Sequence, residues 1–366
     1  MKFERIVFTT RLTSIGDTII SAKSFLRLLR NDYYPIFLTS KENFDIAKLI
    51  PKLTFFILIN QNHLTYYSGE NQKFIEISKD DFLEKIKQIP TQKKPVTLDL
   101  QKTKRSKNAL KNLKKTLNLP FEKNYSVSKR TLFRFLLILK SLFTWKQEFR
   151  KKQNFKLLRI HDLQKNAINA LLHHDKKVFI DLHPNEKTLS FPHSYPITAH
   201  KDMICIFPGA SSFLKTWPKE YFTKLIELLL QKTEYKIAIC GSKQESYLKE
   251  YFDFFQNPRV LNLIEQLELS ETLSVIAHSK YVITADSFPA HAADAYKVPA
   301  TVLFGSTSPL FGFVPEYSEI QILYQNLSCS PCTRHGKHVC RFKNLNCLTS
   351  IQPEMVFDSL KLPVKK

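Results

Sequence analysis

The chain has 366 residues, 55 Lys and Arg against 33 Asp and Glu, and a formal net charge of +22, with 43% hydrophobic and 24% charged residues. That length exceeds one ordinary hydrophobic core and predicts two domains, while the composition excludes a disordered chain, a collagen-like repeat and a disulfide scaffold. Between residues 101 and 160 there are 18 Lys and Arg and only two acids, Glu122 and Glu148, so this stretch holds 16 of the 22 net charges and points to a polyanionic partner.

The start of the chain is basic, but the apolar run Ile6-Val7-Phe8 is too short for a signal peptide, and no segment reaches the roughly 20 apolar residues of a membrane span. These features predict a cytoplasmic chain whose six cysteines stay reduced unless a metal holds them. Residues 6–10 read as a strand, Ser14-Ile15-Gly16-Asp17 as a turn, and the helical spacing of Ile19, Ile20, Phe25, Leu26 and Leu29 as the helix that follows. Strands are expected at 36–38, 55–59 and 95–100, with a short helix at 42–50. The basic block is expected to contain a helix from about 129 to 150, with Leu132, Phe135, Leu136, Leu139, Leu142, Phe143 and Phe149 on one side and Arg130, Arg134, Lys140 and Lys146 off it. Such a face suits either packing on its own domain or a bilayer surface. A helix at 161–174 completes a first domain at 1–175, and the Pro- and His-bearing stretch 176–200 reads as a hinge.

Alternation resumes with strands at 204–207, 236–240, 281–284 and 300–304 and helices at 218–231, 243–255, about 273–276 and 290–296. A second domain at 201–350 is expected, followed by a helix or tail at 351–366. The whole predicts an α/β protein of two doubly wound parallel sheets. With seven glycines in the chain, no GxGxxG, P-loop, GxSxG or HExxH motif is present. What remains are Ser, Thr, Gly and Asp turns at the ends of strands, where such sheets place ligands.

Those turns carry a resemblance. Arg11-Leu12-Thr13-Ser14-Ile15-Gly16-Asp17, Asp99-Leu100-Gln101 with Arg105-Ser106, Pro208-Gly209-Ala210-Ser211-Ser212 through Lys215-Thr216-Trp217-Pro218, and Thr284-Ala285-Asp286-Ser287 with His291 and then residues 303–309 resemble, in order, the motifs of the heptosyltransferases of glycosyltransferase family 9. The resemblance implies a GT-B architecture, with two Rossmann-like domains facing a central cleft, acceptor on the first and nucleotide sugar on the second. It further implies an inverting transfer with no obligatory metal, commonly of heptose from ADP-heptose to the lipopolysaccharide inner core.

An inverting transfer needs a base for the acceptor hydroxyl, and Asp17, at a turn relieved by Gly16, matches the family's carboxylate. Its other reading is a cap for the helix that follows. Arg11, Ser14, Gly16, Gln101 and Arg105 fall on the acceptor side. The leaving diphosphate needs cations and N–H donors, which Lys215, Ser211, Ser212 and the helix start near Trp217-Pro218 are expected to supply. By resemblance Asp286, Ser287 and His291 contact phosphate and sugar, Glu245 the ribose, and Leu267 or Leu269 the adenine. Two positions depart from the family pattern: Phe288 stands where it has glycine, and Ser306 where it has proline.

Cys329, Cys332, Cys340 and Cys347, with His335 and His338 between, have a spacing compatible with structural zinc or with reduced thiols that shape a loop. A nucleic-acid binder is disfavoured because Lys outnumbers Arg 43 to 12 and no RNA- or DNA-binding motif appears. The alternatives left open are another nucleotide-sugar donor and a non-catalytic GT-B protein that binds lipid-linked sugar. Within the basic block, cations and an apolar helix face together predict a peripheral enzyme on the anionic inner face of the cytoplasmic membrane, where a phosphorylated glycolipid is presented.

Overall fold

The computed structural model describes residues 2–12, 14–61, 63–70, 72–127, 131–142, 159–191, 202–336, 339–360 and 362–363. The chain divides into two compact units, residues 1–129 with 160–190, and residues 130–159 with 191–366.

The first unit runs β1 (Ile6–Thr10), α1 (Ile15–Arg30), β2 (Tyr34–Ser40), α2 (Phe44–Lys48), β3 (Phe55–Asn60), β4 (His63–Glu70), β5 (Lys73–Ile77), α3 (Lys79–Lys87), β6 (Val96–Asp99), α4 (Lys104–Leu117) and β7 (Asn124–Ser126). Helix α5 (Thr131–Leu142) belongs to the second unit, and the chain then returns to the first for α6 (Ile160–His174). The strand order is β5-β4-β3-β2-β1-β6-β7, with the β5–β4 and β4–β3 pairings antiparallel and the rest parallel.

Side-chain alternation along β1 explains the layers. Ile6 and Phe8 join Ile36, Leu38 and Ile57 beneath α3 and α4, whereas Val7 turns to the opposite face with Leu98, Leu28 of α1 and Ile168 and Leu171 of α6. A buried ionic cluster fastens the end of α6 to the sheet edge. Arg5, 1% exposed, meets Asp175 at 2.5 Å and Glu122 at 2.6 Å, and Asp175 also accepts from Tyr33 Oη at 2.9 Å and Lys93 Nζ at 3.1 Å. Burial alone would raise the Asp175 carboxyl, but bonding to Arg5, Lys93 and Tyr33 holds it below the ordinary carboxylate range.

The second unit continues with β8 (Met203–Phe207), α7 (Lys219–Lys232), β9 (Lys236–Gly241), α8 (Lys249–Asp253), β10 (Val260–Ile264), α9 (Leu269–His278), β11 (Tyr281–Ala285), α10 (Phe288–Tyr296), β12 (Ala300–Phe304), β13 (Ile320–Tyr324), α11 (Asn346–Thr349) and α12 (Pro353–Ser359). Its six strands are all parallel, in the order β10-β9-β8-β11-β12-β13. Ile206, Ile239, Ile283 and Leu303 pack with Trp217, Phe222 and Leu225 on one face of it.

Two doubly wound α/β units are therefore present, with two corrections to the sequence reading. The amphipathic helix expected in the first domain belongs to the second: Arg134 donates to the Phe311 carbonyl at 2.9 Å and stacks on Phe313, and Ser141 bonds the Pro331 carbonyl. Residues 176–190, expected in a hinge, pack in the first unit, where Asp181 takes Arg27 at 2.8 Å and Asn31 bonds Ile180. At 351–366, where a helix or tail is expected, α12 forms, and this segment supplies Ile351, Val356 and Leu360 to the second core. Residues 192–200 of the hinge expectation, and Arg130, Phe143, Lys146, Phe149 and His338, lie outside the described residues.

Candidate active site

In the first unit the strand order reverses between β1 and β6, so the chain leaves both strands on the same edge with room between them, the place where open α/β sheets take ligands. The residues following these two strands meet there. Arg11 Nη1 donates to the Leu100 carbonyl at 2.9 Å, and Gln101 Oε1 accepts from the Leu12 amide at 2.9 Å. The second guanidinium nitrogen of Arg11 forms an ion pair with Asp17 Oδ2. Arg11 is 8% exposed, so its charge is fixed by the protein and not by water.

The β6 side is held rigid by Asp99. Its Oδ1 accepts from the Gln101 and Lys102 amides at 2.9 and 2.7 Å, and its Oδ2 from Ser106 Oγ at 2.8 Å. Thr103 and Ser106 close a reciprocal cap on α4. Ser14 caps α1 by accepting the Asp17 amide at 3.2 Å, and it does so at φ 57°, a backbone state that costs a non-glycine residue about 1–3 kcal/mol. The conformational demand expected at Gly16 thus falls on Ser14, and the cap is Ser14 rather than Asp17. Gly16 itself is buried inside the first turn of α1. Asp17, Arg11, Ser14, Gly16 and Gln101 are brought together; Arg105 is exposed on α4, where its charge helps lower the Glu42 carboxyl, chiefly held down by Ser40.

In the second unit the reversal lies between β8 and β11. Lys215, from the loop after β8, reaches Asp286, from the turn after β11, at 3.2 Å, and Asp286 accepts from Thr307 Oγ1, in the loop after β12, at 2.8 Å. Three strand ends thus converge on one carboxylate. Ser212 caps the short turn that bears Lys215, and its hydroxyl also donates to the Gly336 carbonyl. Trp217, expected near a phosphate-binding helix start, is instead fully buried and donates Nε1 to the Ile351 carbonyl at 2.9 Å, pinning the loop to the core. Ser211 is exposed.

Glu245 lies against Gly209: a Cβ built on Gly209 would stand 2.1 Å from Glu245 Cγ. Its Oε2 caps the turn after β9 by accepting the Ser242 amide at 2.8 Å. Leu267 is half-buried just beyond β10, where the Glu265 amide donates to the Gly241 carbonyl at 3.0 Å. Ser287 stands at the cap of α10, its hydroxyl 3.2 Å from Thr284 Oγ1, and His291 is buried within that helix. Phe288 opens α10 with helical backbone and is not among the positive-φ residues, so the missing glycine imposes no backbone strain.

The cysteine-bearing segment packs around these loops. The Cys332 amide donates to the Ser306 carbonyl at 3.0 Å, and Ser330 Oγ to the Gly305 carbonyl at 2.7 Å. Cys329, Cys332, Cys340 and Cys347 line one cavity of about 290 Å³. None is in a disulfide, and among the described residues no three His, Cys, Asp or Glu side chains are arranged to hold a metal. Burial, with the neighbouring thiols, pushes Cys332 up to about 11 and Cys347 up to about 12. Gly336 lies within the Cys329–Cys347 segment, where the sequence draws attention to thiols and imidazoles and not to the backbone; its rarity as one of seven glycines is the available signal.

Residues 123–344 match the sequence profile of "Glycosyltransferase family 9 (heptosyltransferase)". Among curated proteins, the lipooligosaccharide heptosyltransferase 2 of Haemophilus ducreyi is 28% identical over 128 residues, 33% of this chain and 36% of that protein. The match thus spans about a third of that relative's length. Among solved structures, a family 9 glycosyltransferase of Veillonella parvula superposes with a TM-score of 0.60 at 18% identity, covering 98% of this chain and 96% of that one. The E. coli heptosyltransferase WaaC with ADP-2-deoxy-2-fluoro heptose gives 0.61 at 12% identity, covering 96% and 98%. These likenesses show the fold, which is GT-B.

Proposed function

Since this chain belongs to glycosyltransferase family 9, we propose that it is an inverting glycosyltransferase that moves heptose from ADP-heptose to the inner core of lipopolysaccharide. The observation that carries this reading is the convergence of Lys215, Asp286 and Thr307 from three strand ends at the switch point of the second sheet. A preorganised cation at such a point suits a departing diphosphate. In this reading the second unit holds the nucleotide sugar, with Glu245 toward the ribose, Leu267 toward the adenine, and Ser211, Ser212, Ser287 and His291 toward phosphate and sugar.

Asp17 of the first unit is the base. Arg11 grips its Oδ2, which leaves Oδ1 to accept the proton of the acceptor hydroxyl. The acceptor oxygen then attacks the anomeric carbon opposite the leaving ADP, whose charge Lys215 compensates, and configuration inverts. The acceptor, an anionic inner-core glycolipid, is bound through the Arg11 and Gln101 edge with Arg105 nearby. That the relatives are heptosyltransferases of lipopolysaccharide or lipooligosaccharide supports heptose as the group moved and such a glycolipid as the acceptor.

The test is a donor screen with defined inner-core acceptors, following nucleoside diphosphate release. ADP-heptose is expected to be consumed in preference to GDP- and UDP-sugars. Equal turnover of all three overturns the donor assignment, and donor binding without turnover on any acceptor makes the chain a sugar-binding GT-B protein.

A further inference from the structure

The loop after β12 carries a hydroxyl that its own conformation does not need. The backbone of this loop is fixed from the cysteine-bearing segment: Ser330 Oγ donates to the Gly305 carbonyl at 2.7 Å and stands 3.3 Å from the Thr307 carbonyl, and the Cys332 amide donates to the Ser306 carbonyl at 3.0 Å. Ser308 adds a cap by accepting the Leu310 amide at 3.2 Å. The side chain of Thr307 takes no part in these bonds. Thr307 is 1% exposed, so its hydroxyl must find an acceptor inside the protein, and that acceptor is Asp286 Oδ2 at 2.8 Å.

Lys215 Nζ meets the same oxygen at 3.2 Å. A carboxylate offers two oxygens and about four acceptor sites, yet both donors stand on Oδ2. The backbone of Asp286 is held, its amide donating to the Leu303 carbonyl at 3.1 Å, but the carboxylate turns about its side-chain bonds unless a directed bond stops it. Lys215 does not supply one, since an ammonium is a compact charge with rotatable donors and no fixed plane. Without the hydroxyl, the carboxylate would turn both oxygens to the cation. The side chains of Lys215 and Asp286 are only 12 and 15% exposed, so little water screens that closure, and a lysine so paired has less charge to direct at a diphosphate. We infer that Thr307 is a positioning residue for the donor: its hydroxyl pins the Asp286 carboxylate by one oxygen and thereby keeps Lys215 available to the diphosphate. The inference deepens the assignment of the second unit to the nucleotide sugar and rests on it.

The test is titration calorimetry of ADP against the full chain and its variants, with circular dichroism to establish that each is folded. Thr307→Val removes the hydroxyl at nearly constant shape, and Thr307→Ala removes it with a smaller side chain; both are expected to bind ADP about tenfold more weakly than the parent. Thr307→Ser keeps the hydroxyl and is expected to bind within about twofold of the parent. A double-mutant cycle with Asp286→Asn separates positioning from a general effect on the fold. In that background Thr307→Val should change ADP affinity by less than about twofold, because no charged carboxylate is left to turn onto Lys215. Parent-like binding by the Val and Ala variants, a Ser variant as weak as they are, or an undiminished loss in the Asp286→Asn background would each overturn the inference while leaving the donor reading in place. A parent chain that binds no ADP would overturn the donor reading and the inference with it.

Discussion

Gly336 offers a test of how the donor loop is held. It adopts φ +83°, and a Cβ there would stand 2.6 Å from Ser212 Cβ and Oγ and 3.1 Å from Lys215 Cγ. In Gly336→Ala the left-handed backbone costs about 1–2 kcal/mol, and displacing Ser212 from the Gly336 carbonyl removes a hydrogen bond worth about 1 kcal/mol. Both losses fall on stability. The larger consequence is for binding, because relief of the clash moves the segment that bears Lys215. A charge-assisted contact to a diphosphate contributes about 1.5–3 kcal/mol, so its loss should weaken ADP binding about 10- to 150-fold. Titration calorimetry of ADP against the folded variant measures this, with circular dichroism to confirm the fold. Gly312→Ala is the control: Gly312 has φ 88° in the turn after Phe311, so it carries the same backbone cost without touching Ser212 or Lys215. A Gly336→Ala chain that binds ADP within about twofold of the parent would refute the bracing role, while a parent chain that binds no ADP would refute the donor assignment instead.

Asp17→Ala should lower kcat by about 10²–10⁴ and leave ADP affinity unchanged, which single-turnover kinetics and calorimetry separate. Gly209→Ala should drive Glu245 from its place, since the new Cβ would stand 2.1 Å from its Cγ; an ADP-sugar affinity that falls while that of inorganic diphosphate does not would assign the loss to the nucleoside end. Asp175→Asn takes from buried Arg5 one of its two carboxylates, leaving Glu122, and should destabilise the chain by about 1.5–3 kcal/mol in denaturant melts. The sign of its pH dependence is set by the lowered carboxyl: the parent's extra stability is present above the unfolded-state value, near 3.9, and disappears as pH falls through the folded value. The stability gap between parent and variant should therefore narrow below about pH 4, and a gap constant with pH would refute it.

Local pattern was enough for much of the fold. β1, β6, β8, β11 and β12 are runs of apolar residues bounded by turns, and buried parallel strands have that appearance. The hairpin β4–β5 was not recognised because much of it is exposed and polar, with Leu64 and Tyr66 alone fully inward. The strand ends that carry Arg11, Gln101, Lys215, Asp286 and Thr307 were visible because a turn at a strand terminus leaves a signature of small and polar residues within a few positions.

From sequence alone came two doubly wound α/β domains, the family resemblance, the location of charge and the set of residues from which the site is built, because each depends on neighbours close in the chain. Tertiary structure decided which of those residues meet. Arg11 pairs with Asp17, Lys215 with Asp286, and Ser212 with Gly336, 124 positions away. It also decided that α5 serves the second unit and turns Leu132, Phe135 and Leu136 outward. A helix with apolar residues on both sides does not say by periodicity which side is covered; that depends on the surfaces of Phe311, Pro331 and Arg341, nearly two hundred residues further along the chain.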